Sequence, residues 1–134
     1  MSEKFQCFIT IRNTSGGTLS CTYSGLSYGK WVISPPAQIL DGTTSAAFWA
    51  AGRSGSWTGT TGSVSYAFGD NATSFTVSFD VPFIGDNSGG LNMAGPGMSK
   101  YTVVQTESDF EKPANFPRSG DVVRVYLAIG RAKE

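Results

Sequence analysis

Tyr28, Trp31, Trp57 and Phe83 stand in loop-like segments, at positions where a core does not obviously require them. Tyr28 and Trp31 flank Gly29-Lys30. Trp57 sits in Gly55-Ser56-Trp57-Thr58-Gly59, and Phe83 follows Pro82 at the head of a Gly-rich stretch. Indole and phenol rings are favoured at the membrane–water boundary, because the ring is apolar while its N–H or O–H keeps a water partner. The same rings would suit stacking on sugars, so residue type alone does not separate a lipid binder from a lectin-like module. The competing reading is structural, since rings of this size are mostly buried. It weighs most on Trp31 and Phe83 and least on Tyr28 and Trp57, whose neighbours are polar. Trp49, inside Ala46-Ala47-Phe48-Trp49-Ala50, reads as core.

Reactive chemistry is scarce. The chain has no histidine, which removes the commonest general base and the commonest metal ligand. Two cysteines, Cys7 and Cys21, build neither a zinc site nor a disulfide framework; both read as reduced, buried small hydrophobes, with a pairing across the sheets as the alternative. The acids cluster at strand ends and in loops, where Asp serves turns. Asp80 and Asp86 could be forced into a glycosidase pair, but nothing requires it. No loop has the acidic spacing of a calcium site or the Gly-Lys-Ser/Thr of a phosphate loop. The expectation is a protein without catalytic activity, metal or cofactor. Ten basic and ten acidic residues cancel, which argues against nucleic acid as a partner.

The elements that must carry these rings are strands. Phe5, Cys7, Ile9 and Ile11 alternate with Lys4, Gln6, Thr10 and Arg12, a pattern that Phe8 breaks; Val64, Tyr66 and Phe68, then Phe75, Val77 and Phe79, recur with the same period, as do Val123, Val125, Leu127 and Ile129, with Val122, Arg124 and Tyr126 on the other face. Further strands are expected over 18–24, with Leu19, Cys21 and Tyr23 on one face, over 45–51 and over 100–107. A hairpin centred on Ser15-Gly16 would set Cys7 near Ser24 and Cys21 near Thr10. Segments 26–32, 52–62, 82–97 and 108–120 read as loops. Roughly seven or eight short strands with no helical period predict a single-domain, all-β, two-sheet antiparallel β-sandwich over 1–134, with a closed barrel as the alternative. No apolar stretch is long enough for a membrane-spanning helix, and residues 1–4 show no secretory signal. Synthesis in the cytoplasm and exit by another route is expected.

The stretch Ala50-Ala51-Gly52-Arg53-Ser54-Gly55-Ser56-Trp57-Thr58-Gly59-Thr60-Thr61-Gly62 resembles the signature of the aegerolysins, small β-sandwich proteins of fungi and bacteria. Ile11-Arg12-Asn13, Tyr28-Gly29-Lys30-Trp31, Ser34-Pro35 and Phe79-Asp80-Val81-Pro82-Phe83 follow the same order. These features are most similar to the small component of bacterial binary insecticidal crystal toxins. The resemblance implies binding to membrane lipid, often sphingolipid. It also implies a larger pore-forming partner protein that inserts into the bilayer, with assembly into oligomers on the membrane. It places the headgroup at Tyr28 and Lys30 with Trp31 beside them, and makes the Arg53-to-Gly62 loop the neighbouring wall. Lys30 would meet a phosphate while the rings, Trp57 and Phe83 included, enter the interface. Fungal members carry an acid directly before Gly-Thr-Thr-Gly, where this chain has Thr58, which moves the expectation toward the insecticidal branch.

Overall fold

A computed structural model describes residues 4–55 and 57–133. Ser56, part of the aromatic loop read above, lies outside the described residues, as do residues 1–3 and 134. The chain forms β1 (Gln6–Asn13), β2 (Leu19–Tyr28), β3 (Lys30–Ile33), β4 (Gln38–Ile39), β5 (Thr43–Thr44), β6 (Phe48–Ala51), β7 (Thr60–Ala67), β8 (Ser74–Val81), β9 (Ser88–Ala94), β10 (Tyr101–Thr106) and β11 (Val122–Arg131). One sheet runs β10-β11-β1-β6-β3, with β5 beside β1. The other runs β4-β2-β7-β8-β9. They pack face to face as an all-β sandwich.

Alternation builds the core. In β1 every second residue is buried, and Cys7, Ile9 and Ile11 face inward with Asn13 at the end. Phe75, Val77, Phe79 and Val81 of β8 meet them, with Val64 and Tyr66 of β7 and Val123, Val125, Leu127 and Ile129 of β11 in the same cluster. Each such side chain contributes about 1.5–3 kcal/mol on burial.

Five features differ from the sequence reading. First, β1 and β2 are not a hairpin, because the turn after Asn13 carries the chain from one sheet to the other. The buried Asn13 side chain ties this arch. Its Nδ2 donates to the carbonyls of Gly17 (2.8 Å) and Ile39 (2.9 Å), and its Oδ1 accepts from the Ser15 N–H (3.0 Å) and Ser15 Oγ (2.7 Å). Second, β1 pairs with β11 in parallel, from Gln6 opposite Val122 to Asn13 opposite Ile129, so the sheets are predominantly rather than purely antiparallel. Third, the segment read as a loop over 26–32 is strand on both sides of Gly29, whose positive φ of 95° makes the turn.

Fourth, the Gly-rich segment 82–97 contains β9. Gly89 lies against the Phe116 ring, where a Cβ would overlap the ring, so pairing to β8 and this cover replace strand propensity. Fifth, a register shift between Cys21 and Tyr23 turns Tyr23 out to solvent. Trp49 also faces outward, stacked on Phe8 at 4.5 Å, while Phe48 fills the core.

Both cysteines are free, with Cys7 buried and Cys21 half-buried. Burial pushes the Cys7 thiol from 9.0 up to about 12, because the thiolate would lose its hydration. Below the lower value the thiol is protonated in both states. Between the two values only the unfolded chain releases the proton, so stability falls as pH rises through that window. Replacing Cys7 with Ala should flatten this alkaline loss, read from denaturant midpoints. In the native protein, a thiol reagent at about pH 8 should label Cys21 and spare Cys7. Asn13→Ala strands two carbonyls at the arch and should lower unfolding free energy by about 2–4 kcal/mol, seen as a lower denaturant midpoint with unchanged slope.

Candidate functional site

The predicted rings converge at one end of the sandwich because the backbone is allowed unusually close there. At Gly29 a Cβ would lie 2.5 Å from the Ala51 carbonyl oxygen and 2.7 Å from Thr60 Oγ1, so only glycine lets the β2–β3 turn settle on β6 and β7. Thr60 Oγ1 then donates to the Tyr28 carbonyl at 3.3 Å. At Gly59 a Cβ would land on the Val81 carbonyl oxygen. That contact brings the loop carrying Trp57 beside the chain leaving β8. Phe83 there sits 5.4 Å edge-on from Trp57 and 5.3 Å from Phe5.

The result is an open groove of about 370 Å³ lined by Tyr28, Trp57, Thr58, Thr61, Asp80, Pro82, Phe83 and Ile84. Its apolar rim is exposed to water: Tyr28 is 54%, Trp57 80%, Phe83 38% and Ile84 83% accessible. Its polar floor is a cross-strand pair. Thr61 stands opposite Asp80 in the β7–β8 register, and Thr61 Oγ1 donates to Asp80 Oδ1 at 2.7 Å. The groove therefore offers apolar rings around one carboxylate, which suits a ligand with an apolar body and a positive end.

The predicted residues divide. Tyr28, Trp57 and Phe83 line the groove together; Lys30, Trp31 and Arg53 do not. Trp31 is half-buried, with its ring 6.1 Å from that of Phe79 and 6.4 Å from that of Phe48, so it closes the end of the core. Lys30 is half-buried on β3, and Arg53 is exposed. Two contributors escaped the sequence reading as parts of this site. Ile84 could have been flagged, because Phe83-Ile84 is an apolar pair between Pro82 and Gly85. Asp80 could not, because its place beside Thr61 depends on the β7–β8 register.

A second groove of about 330 Å³, lined mostly by apolar groups such as Ile33, Pro36, Ile39, Leu40 and Phe48, opens elsewhere. No charged side chain lines it, so it has nothing to orient a headgroup. Asp86, the other carboxylate weighed for hydrolysis, is exposed and pairs with Arg118 at 3.2 Å. Among the described residues no three His, Cys, Asp or Glu side chains gather as metal ligands, and no helix is long and apolar enough to cross a membrane.

No family model matches the chain, and no curated protein matches it in sequence. In structure it is similar to RahU protein, solved in complex with a TRIS molecule, with TM-score 0.74 and 18% identity over 96% of each chain. It is also similar to the lipid binding protein Nakanori, with TM-score 0.68 and 12% identity over 98% of this chain and 73% of that one. At these identities the likeness concerns architecture, and the sandwich is an aegerolysin-like fold.

Proposed function

We propose that this protein binds membrane lipid through the groove between Tyr28, Trp57, Phe83 and Ile84. The observation that carries the reading is the exposure of Trp57 (80%) and Ile84 (83%) on either side of Phe83, around the Asp80 carboxylate. Two large apolar side chains held in water gain free energy when they enter a bilayer boundary, where indole is also favoured. Ile84 separates lipid from sugar: an aliphatic tip contributes little on a sugar face and more in an acyl region. The Asp80 carboxylate, which lines the groove with Tyr28, Trp57 and Phe83, favours a zwitterionic headgroup with an ammonium end. The architecture shared with a lipid binding protein supports the same reading.

The finer role is that of the membrane-binding subunit of a two-component pore-forming toxin of the insecticidal kind. The order and spacing of the motifs around Gly29-Lys30-Trp31 and Thr58–Gly62 support it. On this reading the chain acts from outside the target cell after release or storage as an inclusion. It concentrates on the surface, and a larger protein inserts. It performs no catalysis.

Vesicle co-sedimentation tests the first claim. Phosphatidylcholine vesicles with and without sphingomyelin and cholesterol should bind the wild type. Trp57→Ala and Ile84→Asp should each weaken partitioning by about tenfold. Asp80→Asn should erase any preference for ammonium headgroups over phosphatidylglycerol. Unchanged binding by the Trp57→Ala/Ile84→Asp double variant, or no binding to any target membrane, would sink the lipid reading; glycan binding in lipid-free solution would put the lectin-like alternative in its place. Dye release should require a second protein, and release by this chain alone would refute the two-component role.

A further inference from the structure

The two sheets differ in charge. The strands of the six-stranded sheet hold Arg12, Lys30, Arg124 and Arg131 and no Asp or Glu. Those of the other sheet hold Asp80 and no Lys or Arg. On the outer face of the six-stranded sheet one in-register row crosses four strands: Ile33 opposite Trp49, Trp49 opposite Phe8, Phe8 opposite Arg124. The Arg124 guanidinium carbon lies 4.6 Å from the Phe8 ring centre. Farther along β1, Arg12 lies 5.1 Å over Phe110, whose ring meets Tyr126 edge-on at 5.8 Å. A guanidinium resting on a ring keeps its N–H edge for an acceptor outside. Among the described residues, neither Arg12 nor Arg124 has a carboxylate partner.

Acceptors stand at the rim of the same face. Glu107, Asp109 and Glu111 are exposed on the loop that follows β10. This loop is held in shape: the Glu107 N–H donates to the Lys112 carbonyl at 2.8 Å, and Asp109 Oδ1 accepts from the Glu111 N–H at 3.1 Å. Phe110 takes a positive φ of 60°, costly for a side chain of its size, and its ring is clamped between Arg12 and Tyr126.

We propose that this face is a contact between two copies of the chain. A two-fold contact uses one patch twice, so the patch must carry both members of each pair. Here Arg124 and Arg12 lie along β11 and β1, and the carboxylates stand on the bordering loop, with Glu111 lining the same depression as Arg12. Trp, Tyr, Phe and Arg are the types enriched at interface centres, where Asp and Glu are depleted. An anionic bilayer would also attract the arginines, but it would repel the three rim carboxylates, and the stacked, half-buried Trp49 and Phe8 do not protrude. Strand spacing and rise give roughly 600 Å² per copy, near the roughly 800 Å² per partner of ordinary specific interfaces. None of the face's Phe8, Trp49, Arg12, Arg124, Phe110 or Tyr126 lines the groove at the tip, so the contact stands apart from lipid binding.

Sedimentation equilibrium of the full chain without lipid, over about 1–200 µM, tests it. The expected result is a reversible dimer that weakens as sodium chloride rises. Arg12→Glu with Arg124→Glu should weaken it by about tenfold or more, as should Glu107→Lys with Asp109→Lys and Glu111→Lys. Mixing the two variants should restore pairing between them, which separates a broken contact from a damaged fold. A monomer at every concentration in low salt overturns the proposal. So does a dimer indifferent to both charge sets, or a mixture that fails to pair.

Discussion

Each strand of a two-layer sandwich has one face to bury, and the organisation of this protein follows from that constraint. Cys7, Ile9 and Ile11 of β1, the Phe75–Val81 series of β8 and the Val123–Ile129 series of β11 spend their inward positions on one another. Burial offsets the entropy of ordering the chain only if the register holds, since a slip by one residue would carry every inward side chain to the outside. Once the register is set, the outer faces and the open ends are set with it. Recognition is left to those surfaces.

The open end is built by close backbone approach rather than by added structure. Gly29 and Gly59 let the β2–β3 turn and the Trp57 loop press onto the ends of β6, β7 and β8. The rings then have nowhere inward to go, because Trp31, Phe48 and Phe79 already fill that end of the core. Trp57 and Ile84 remain in water, which is a loss for the isolated protein and a gain on contact with an apolar surface. The Thr61–Asp80 hydrogen bond holds the carboxylate at the bottom of the groove, so that it presents an oriented acceptor.

The outer faces divide the remaining chemistry. On the five-stranded sheet hydroxyls satisfy one another across strands, as in the 2.6 Å contact between Ser65 Oγ and Thr76 Oγ1. On the six-stranded sheet the guanidinium groups lie on rings and keep their polar edges outward. Three surfaces of different chemistry therefore share one core.

The sequence by itself determined the alternating strands, the all-β class, the poverty of reactive groups, and the placing of Tyr28 and Trp57 among polar neighbours. These are local properties, set by side-chain period and by the company each residue keeps. Tertiary structure decided which strands became neighbours and which rings stayed outside. Asn13 sent the chain to the opposite sheet, and β1 found its parallel partner β11 at the far end of the sequence. A bulge exposed Tyr23, and a one-residue difference in parity put Phe48 inside and Trp49 outside. Trp31 turned toward the core while Trp57 did not. Asp80 joined the site only through its cross-strand partner. Pairing, parity and burial all depend on residues distant in the chain, and a period of two is the same whichever face is buried.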